Sequence, residues 1–99
     1  MGFGNRETRP KTLLSNKSYY VGEWREGTNT REGRGMTVWA DGSLYEGYWK
    51  DNKGNYYGRL IHKDGDVYQG EWQDDMAHGF GYYMHADGSQ FRGFWKNDH

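Results

Sequence analysis

Serine, histidine and aspartate side chains between positions 43 and 89 are the residues whose types could support chemistry. Ser43 and Ser89 could act as nucleophiles, His62 and His85 as bases, and Asp66 as the group that orients a base. A Ser-His-Asp set activates a hydroxyl nucleophile, and a His-Asp-His set could hold a metal ion. The 99 residues include no cysteine, which excludes a disulfide, a thiolate zinc site and a cysteine nucleophile. Whether these five residues can act together depends on the elements that position them.

A repeat of 23 residues organises the chain. Tyr45 and Tyr68 are 23 residues apart, as are Tyr68 and Phe91, whereas Tyr20 precedes Tyr45 by 25 because the stretch "REGTNTREG" is longer. The dipeptide "DG" recurs at the same interval, at 41–42, 64–65 and 87–88. Such self-similarity is the signature of a repeat architecture. The sequence therefore predicts three full units and the first strand of a fourth.

Each unit opens with an alternating segment: "YVGEW", "YEGYW", "YQGEW" and "FRGFW". Alternation indicates a strand, so the aromatic residues and the glycine share one face. The expected strands lie near 19–25, 34–40, 43–50, 57–63, 66–73, 80–86 and 89–96. Short connections between them favour hairpins. The fold class predicted is therefore all-β, a single-layer antiparallel β-meander of about seven strands, built from 23-residue hairpin repeats over residues 19–99.

The pairing register follows from the requirement that Leu60 and Tyr68 share a face. A three-residue loop, Lys63-Asp64-Gly65, with the glycine in the left-handed region, meets this requirement. Across the following loop, Trp72 is expected to face Gly79. The register gives three rows: Gly22, Gly35, Gly47, Gly58, Gly70, Gly81 and Gly93; Trp24, Gly33, Trp49, Tyr56, Trp72, Gly79 and Trp95; and Tyr20, Thr37, Tyr45, Leu60, Tyr68, Tyr83 and Phe91. The glycine row leaves a trough across which the rings lie, and these contacts replace a conventional core.

In this register the potentially chemical residues form one polar row beside the hairpin turns. The row reads Trp39, Ser43, His62, Asp66, His85 and Ser89. A flat sheet supplies neither an oxyanion hole nor a pocket that excludes water. The two histidines lie two strands apart, about 9–10 Å, which is long for sharing a metal. We therefore expect a structural row, with no catalytic residues, no metal and no cofactor.

The opposite face of the sheet carries apolar and aromatic side chains that a single layer cannot cover. The candidates for partner binding on it are Tyr19, Val38, Leu44, Ile61, Val67, Met84, Tyr48, Phe80 and Phe94. An exposed apolar patch of this extent suggests an interaction surface. The alternatives are that the N-terminal segment folds back over part of it through Leu13 and Leu14, or that the face is simply exposed.

Composition narrows the classes of partner. The aromatic content is 18% and the formal net charge is -1, so neither a disordered chain nor a nucleic-acid-binding protein is expected. Residues 1–18 form a basic polar leader with a net charge of +3: Arg6, Arg9, Lys11 and Lys17 against Glu7. This leader is either a solvated segment or a weak contact for anionic lipid or an acidic protein. No apolar run is long enough to span a bilayer and no apolar signal core is present, so the expected location is cytoplasmic.

The recurring pattern of Y-x-G-x-W, a polar loop, G-x-G and D-G resembles the MORN (membrane occupation and recognition nexus) repeat over residues 20–97. The sequence departs from this pattern at three places. Tyr56 replaces the first glycine of G-x-G in the second unit, Phe91 replaces tyrosine in the fourth, and the first loop is longer. Members of that family occur in ciliary radial spokes, parasite basal complexes, junctional membrane proteins, and the regulatory segments of lipid kinases and a lysine methyltransferase. The resemblance implies a non-catalytic scaffold or protein–protein interaction subunit of a larger assembly, ciliary, axonemal or otherwise cytoskeletal. The alternatives are a peripheral membrane module that binds anionic phospholipids and the regulatory repeat segment of an enzyme.

Overall fold

The computed structural model describes residues 5–14 and 16–96, and these form one antiparallel sheet in which each strand pairs with the next in the chain. The eight strands are β1 (Arg6–Leu13), β2 (Tyr19–Arg25), β3 (Arg31–Val38), β4 (Leu44–Lys50), β5 (Lys53–Ile61), β6 (Val67–Gln73), β7 (Met76–Met84) and β8 (Gln90–Trp95). The molecule measures 16 Å along its shortest axis, the thickness of a single layer. The prediction of an all-β single-layer meander is confirmed.

The strand count differs from the prediction, because β1 lies within the segment expected to be a polar leader. Arg6 pairs with Arg25 and Leu13 with Tyr19, so β1 extends the sheet beyond β2. Its residues are mostly polar and show no alternation of apolar side chains. β1 forms because its backbone groups pair with those at the outer edge of β2. Residues 1–4 and 15 of the predicted leader, and 97–99 of the predicted sheet, lie outside the described residues.

The Asp-Gly hairpins have the predicted three-residue loops. The His62 N–H donates to the Asp66 carbonyl over 2.8 Å, the Gly65 N–H donates to the His62 carbonyl over 2.8 Å, and Gly65 has a φ of 99°. This register continues into the sheet. Each pair of neighbouring strands from β2 to β8 contains one glycine opposite another, as the sequence predicted.

The hairpins at the other end of the strands are tighter than predicted. Asp51 and Asn52 form the turn between β4 and β5 with φ values of 51° and 68°, a conformation typical of a two-residue hairpin turn. A bulge further along each following strand absorbs the extra residues. Trp72 consequently pairs with Ala77, and the predicted pairing of Trp72 with Gly79 is wrong.

The core is a ladder of rings on one face of the sheet. Tyr20, Tyr45 and Tyr68 are at most 4% exposed, and tryptophans of the same strand and of the strand two further along pack against them. An ideal Cβ on Gly58 would lie 2.6 Å from Cε1 of Tyr45 and closer still to its hydroxyl oxygen. Each of these tyrosines therefore lies over a glycine of the following strand, where any larger residue would displace the ring.

Candidate functional site

The polar row serves as a set of links between successive hairpin turns. The Lys63 N–H donates to Ser43 Oγ over 3.2 Å. One hairpin further on, the Ala86 N–H donates to Asp66 Oδ1 over 2.9 Å, and the Tyr83 hydroxyl donates to Asp66 Oδ2 over 2.8 Å. These hydrogen bonds hold the pKa of the Asp66 carboxyl below its ordinary value, with the Ala86 N–H contributing most. Ser43 and Asp66 thus occupy equivalent positions and each ties its own turn to the next.

The histidines of this row each face a separate carboxylate. His62 Nδ1 lies 3.3 Å from Asp64 Oδ2, and His85 Nδ1 lies 3.4 Å from Asp66 Oδ2. The Ser89 hydroxyl donates to Asp87, the neighbouring carboxylate of its own turn. Within residues 5–14 and 16–96, no group of three or more histidine, aspartate or glutamate side chains is arranged to hold a metal ion. The polar members of the row therefore each make a contact at a hairpin turn, and Trp39 packs against the core.

The face that carries the core contains a groove of about 640 Å³ between the two sets of hairpin turns. Leu14, Trp39 and Leu60 line one side, whereas Arg31 and Asp75 stand on the other. Leu14 packs against the ring ladder, and Leu13 is 75% exposed in the edge strand β1, so the alternative in which the N-terminal segment folds back over part of the opposite face is wrong. The ladder tryptophans of β2, β4 and β6 are only 3–8% exposed, and their rings contact one another's tyrosines rather than solvent.

The opposite face, called here the binding face, exposes the side chains predicted for partner contact. Its aliphatic row runs continuously across the strands through half-buried side chains: Tyr19, Val38, Leu44, Ile61, Val67 and Met84. Beside this row, Tyr48 is 40% exposed, Phe80 50% and Phe94 84%. The rings of Phe80 and Phe94 pack edge to face with centroids 5.6 Å apart. The binding face therefore combines an ordered aliphatic strip with a more exposed aromatic strip.

Two further tyrosines belong to this patch: Tyr57, which the predicted register assigns to this face, and Tyr56, which it assigns to the core face. Tyr57 is 50% exposed in β5, next to Tyr56, which is 60% exposed and has a φ of 65°. Sequence reasoning placed Tyr56 in the tryptophan row of the core face. At the equivalent Gly79, an ideal Cβ would meet Glu71 of the binding face, and we infer from this that the left-handed backbone of Tyr56 directs its side chain toward that face as well. Glycine at the matching positions 33 and 79, each 23 residues from Tyr56, was the signal that could have revealed this.

Glutamates of the binding face close the bulges of the first and third units. Glu23 Oε1 accepts the Arg34 N–H over 2.7 Å, and Glu71 Oε2 accepts the Phe80 N–H over 2.7 Å. Tyr48 occupies the equivalent position of the second unit, opposite Arg34, whose guanidinium lies 5.7 Å from the Tyr48 ring centroid. The second unit therefore carries a ring where the first and third units carry a glutamate.

Charges of both signs border these rings. Glu46 and Arg59 lie opposite each other on β4 and β5, with 3.9 Å between Oε1 and Nε. They line a groove of about 540 Å³ that also includes Val21 and Met36. Aromatic rings, methionine and arginine are the residue types that are enriched in protein–protein interfaces.

The basic residues of β1 make contacts within the sheet. Arg9 bonds to Glu7 over 3.0 Å, and its guanidinium carbon lies 4.6 Å from the Trp24 ring centroid. Arg6 lies 4.0 Å from Glu32, and the Lys11 ammonium lies 4.4 Å from a tyrosine ring centroid. The positive charge expected to attract anionic lipid is therefore partly neutralised or stacked.

Comparison with known families identifies the repeat. The family model described as "MORN repeat" matches residues 20–28, 29–44, 45–67 and 68–90. The first two matches together cover the first unit, and the boundary between them lies in its longer loop. The other two matches each have the 23-residue length of the units that follow. A search of curated proteins finds no match. The described residues contain no helix long and apolar enough to cross a membrane.

Proposed function

This chain belongs to the MORN-repeat family, and we propose that it is a non-catalytic scaffold whose binding face docks a protein partner. The observation that carries the proposal is the exposure of four rings in the aromatic strip: Tyr48, Tyr57, Phe80 and Phe94 are 40–84% exposed. Aromatic side chains at the centre of an interface contribute most of its binding energy. A sheet that buries its own rings on one face and exposes this strip on the other is suited to hold a partner.

A protein fits the binding face better than an anionic bilayer does. Exposed carboxylates, Glu46 and Glu71, stand among the rings and would be repelled by acidic headgroups. Arg59, the nearest cation to Glu46, is paired with it. A protein partner can answer such a pattern with complementary charges and fill the groove beside Met36 with an apolar side chain.

The absence of a catalytic role is also part of the proposal. Asp66 faces His85, but its two oxygens also accept the Ala86 N–H and the Tyr83 hydroxyl, and the Ser89 hydroxyl donates to Asp87 and not to His85. Ser43 accepts a backbone N–H of the next turn instead of bonding to a histidine. These contacts support a structural role for the polar row.

The finer hypothesis is that the partner belongs to a ciliary, axonemal or other cytoskeletal assembly. It is supported by the family resemblance, since relatives with this repeat serve in such assemblies. Purification of the complex from a ciliated cell extract, followed by mass spectrometry, tests it directly: axonemal proteins among the stoichiometric partners support it, and a complex without cytoskeletal components refutes it.

The binding face is tested with a double variant, Tyr48→Asp with Tyr57→Ser. It removes two rings from the middle of the aromatic strip, and the new carboxylate at 48 can pair with Arg34, so the sheet should remain folded. The matched control is His62→Asn with His85→Asn, which changes two side chains of the polar row. Tagged versions of all three chains are used to capture partners from the same native extract.

The proposal predicts a stoichiometric protein partner that the wild type and the histidine control retain and the tyrosine variant loses. Circular dichroism must show the same β-sheet signal for all three chains. Retention of the partner by the folded tyrosine variant would place the interface elsewhere. Flotation with acidic phospholipid vesicles, lost on raising the salt concentration, would favour the membrane alternative instead.

A further inference from the structure

The ring ladder forms a continuous chain of side chains that can be oxidised. Indoles and phenols alternate along it from Trp24 in β2 to Trp95 in β8, and successive ring centroids lie 5.0–5.8 Å apart. Electron transfer is fast between rings in contact, because its rate falls off exponentially with distance. An electron vacancy left on one ring, called here a hole, can therefore pass to the next.

The hydrogen bonds of the ladder rings go to backbone carbonyl oxygens. Trp49 Nε1 donates to the Gly35 carbonyl over 3.1 Å, and the Tyr20 hydroxyl donates to the Glu23 carbonyl over 2.7 Å. An amide carbonyl is a very weak base, so an oxidised ring at these places keeps its proton. A phenol that keeps its proton is difficult to oxidise. These rings are therefore suited to pass a hole on and not to retain it.

Tyr83 continues the chain beyond Trp95 and has a different hydrogen-bond partner. Its ring centroid lies 6.0 Å from that of Trp95, and its hydroxyl donates to Asp66 Oδ2 over 2.8 Å. A carboxylate can accept the proton that a phenol releases on oxidation. At neutral pH, the loss of an electron together with a proton makes tyrosine easier to oxidise than tryptophan. Tyr83 is therefore the position at which a hole comes to rest.

The pair of Tyr83 with Asp66 is specific to the third unit. The positions equivalent to Tyr83 in the first two units carry Thr37 and Leu60. The position equivalent to Asp66 in the preceding hairpin carries Ser43, which already links its turn to the next. That link does not require a carboxylate. The phenol and the carboxylate thus depart from the repeat together, at the point where they meet.

We propose that the ring ladder conducts oxidising equivalents to Tyr83 and thereby protects the buried tryptophans. A one-electron oxidant, such as a small inorganic radical, takes one electron from an indole of the ladder and is itself reduced. An electron from Tyr83 fills the resulting hole through Trp95, while the Tyr83 proton moves to Asp66 Oδ2. The products are an intact ladder, a neutral phenoxyl radical at Tyr83 and a neutral carboxylic acid at Asp66.

Asp66 is a sufficient base for this step. Its hydrogen bonds, chiefly the one from the Ala86 N–H, hold the pKa of the carboxyl below its ordinary value. An oxidised phenol is nevertheless far more acidic than a carboxylic acid, so the proton still moves from Tyr83 to Asp66. Movement over the existing 2.8 Å hydrogen bond needs no rearrangement of either side chain.

A reductant from solution can reach Tyr83 and complete the cycle. The ring is half-buried, and a groove of about 270 Å³ beside it is also lined by Tyr68 and Trp95. A thiolate is the class of reductant that fits, since it gives one electron to the phenoxyl radical and becomes a thiyl radical. Asp66 then returns the proton to the Tyr83 oxygen. The 99 residues contain no cysteine, so the thiolate is a separate molecule.

Pulse radiolysis of a solution that contains azide tests the transfer, because the azidyl radical removes one electron from indoles. Indolyl and phenoxyl radicals have separate absorption bands, so conversion of one into the other can be followed directly. The key variant is Tyr83→Phe, which keeps the ring and removes the hydroxyl. The matched control is Tyr82→Phe, which removes a hydroxyl one residue away, on the other face of β7. Asp66→Asn keeps an acceptor oxygen but cannot take up the proton.

We expect the phenoxyl band to grow as the indolyl band decays, at a rate independent of protein concentration, in the wild type and in Tyr82→Phe. Tyr83→Phe should lose this growth, and Asp66→Asn should slow it at least about tenfold. A wild type without the growth, or a Tyr83→Phe variant that keeps it, overturns the proposal. An unchanged rate in Asp66→Asn overturns the assignment of Asp66 as the proton acceptor.

Survival of the tryptophans tests the protective role. Under a steady source of azidyl radicals and at the same thiol concentration, Tyr83→Phe should lose its tryptophan fluorescence several-fold faster than the wild type and Tyr82→Phe. Circular dichroism before exposure must show the same β-sheet signal for all three chains. Equal losses of fluorescence refute the protective role. The binding face takes no part in either experiment, so the results are independent of the proposed docking function.

Discussion

The glycine beneath a core tyrosine is the most sensitive position that the structure identifies, and Gly58→Ala tests it. The added Cβ would lie 2.6 Å from Cε1 of Tyr45 and closer to the hydroxyl oxygen, so the ring must move away from the sheet. Tyr45 is 3% exposed and packs edge to face against Trp49 and Trp72, with both centroid distances at 5.2 Å. One methyl group therefore displaces the central ring of the ladder.

The cost follows from the contacts that this ring makes. Burial of a large side chain contributes about 1.5–3 kcal/mol, and each edge-to-face pair adds about 0.5–1.5 kcal/mol. The hydrogen bond from the Tyr45 hydroxyl to the Tyr48 carbonyl, 3.2 Å long, adds about 1 kcal/mol. Loss of most of these terms lowers the free energy of unfolding by about 4 kcal/mol, a large part of the stability of a small domain.

Thermal unfolding followed by tryptophan fluorescence measures this effect. For a chain of this length we expect the melting temperature to fall by about 15 °C or more. Gly42→Ala is the matched control, because Gly42 has a φ of 96° but no described atom within 4 Å of an ideal Cβ. In that variant the free energy of unfolding should fall only by the cost of placing alanine in the left-handed region, about 1–2 kcal/mol.

Equal melting temperatures for Gly58→Ala and Gly42→Ala would refute the reasoning. Such a result would mean that the tyrosine ring moves aside without loss, and that the glycine row reflects backbone conformation instead of ring packing. A near-ultraviolet circular dichroism signal that weakens in Gly58→Ala, and not in the control, would confirm that the ring ladder is the structure disturbed.

Two further predictions concern single polar groups. Burial raises the pKa of Tyr20 to about 12, so the folded state favours the neutral phenol. The free energy of unfolding should therefore stay constant below about pH 10, where the tyrosine of the unfolded chain starts to ionise, and fall between about pH 10 and 12. A denaturation midpoint that does not change over that range would contradict this prediction. Glu71→Ala removes the acceptor for the Phe80 N–H and should lower the free energy of unfolding by about 1–3 kcal/mol, whereas Glu71→Gln, which keeps an acceptor oxygen, should lose less; equal losses would show that the hydrogen bond is not the cause.

The sequence was sufficient to predict most of the sheet because its repeat constrains the register twice. The alternating "YQGEW" pattern assigns each side chain to a face, and the Asp-Gly turn of Lys63-Asp64-Gly65 fixes the loop length. A shift by one residue would move every ring to the other face. Together these two constraints leave one register, and the glycine pairs of the structure follow it from β2 to β8.

The remaining features depend on backbone interactions that residue types do not report. β1 forms because β2 offers an unpaired edge, and its polar sequence has no alternation from which a strand could be predicted. The tight turn at Asp51 and Asn52 requires two residues with left-handed backbones. Because this turn uses only two residues, the extra residues of β5 form a bulge before the glycine pair Gly47 and Gly58. The candidate binding residues could be assigned to a face from alternation alone, whereas Tyr56 departs from that alternation because of the bulge, and only the glycines at the equivalent positions 33 and 79 indicate it.

The two departures of the second unit have one physical explanation. In the first and third units a glutamate crosses the bulge and fills the space over Gly33 or Gly79. In the second unit Tyr48 replaces that glutamate, which leaves room for Tyr56 to replace the glycine. Tyr56 keeps the left-handed backbone, with a φ of 65°, at a cost of about 1–2 kcal/mol. The Tyr56 ring is 60% exposed and adds nothing to the core, so ring packing does not offset the backbone strain. The partner contact proposed for this face would account for a tyrosine at this position.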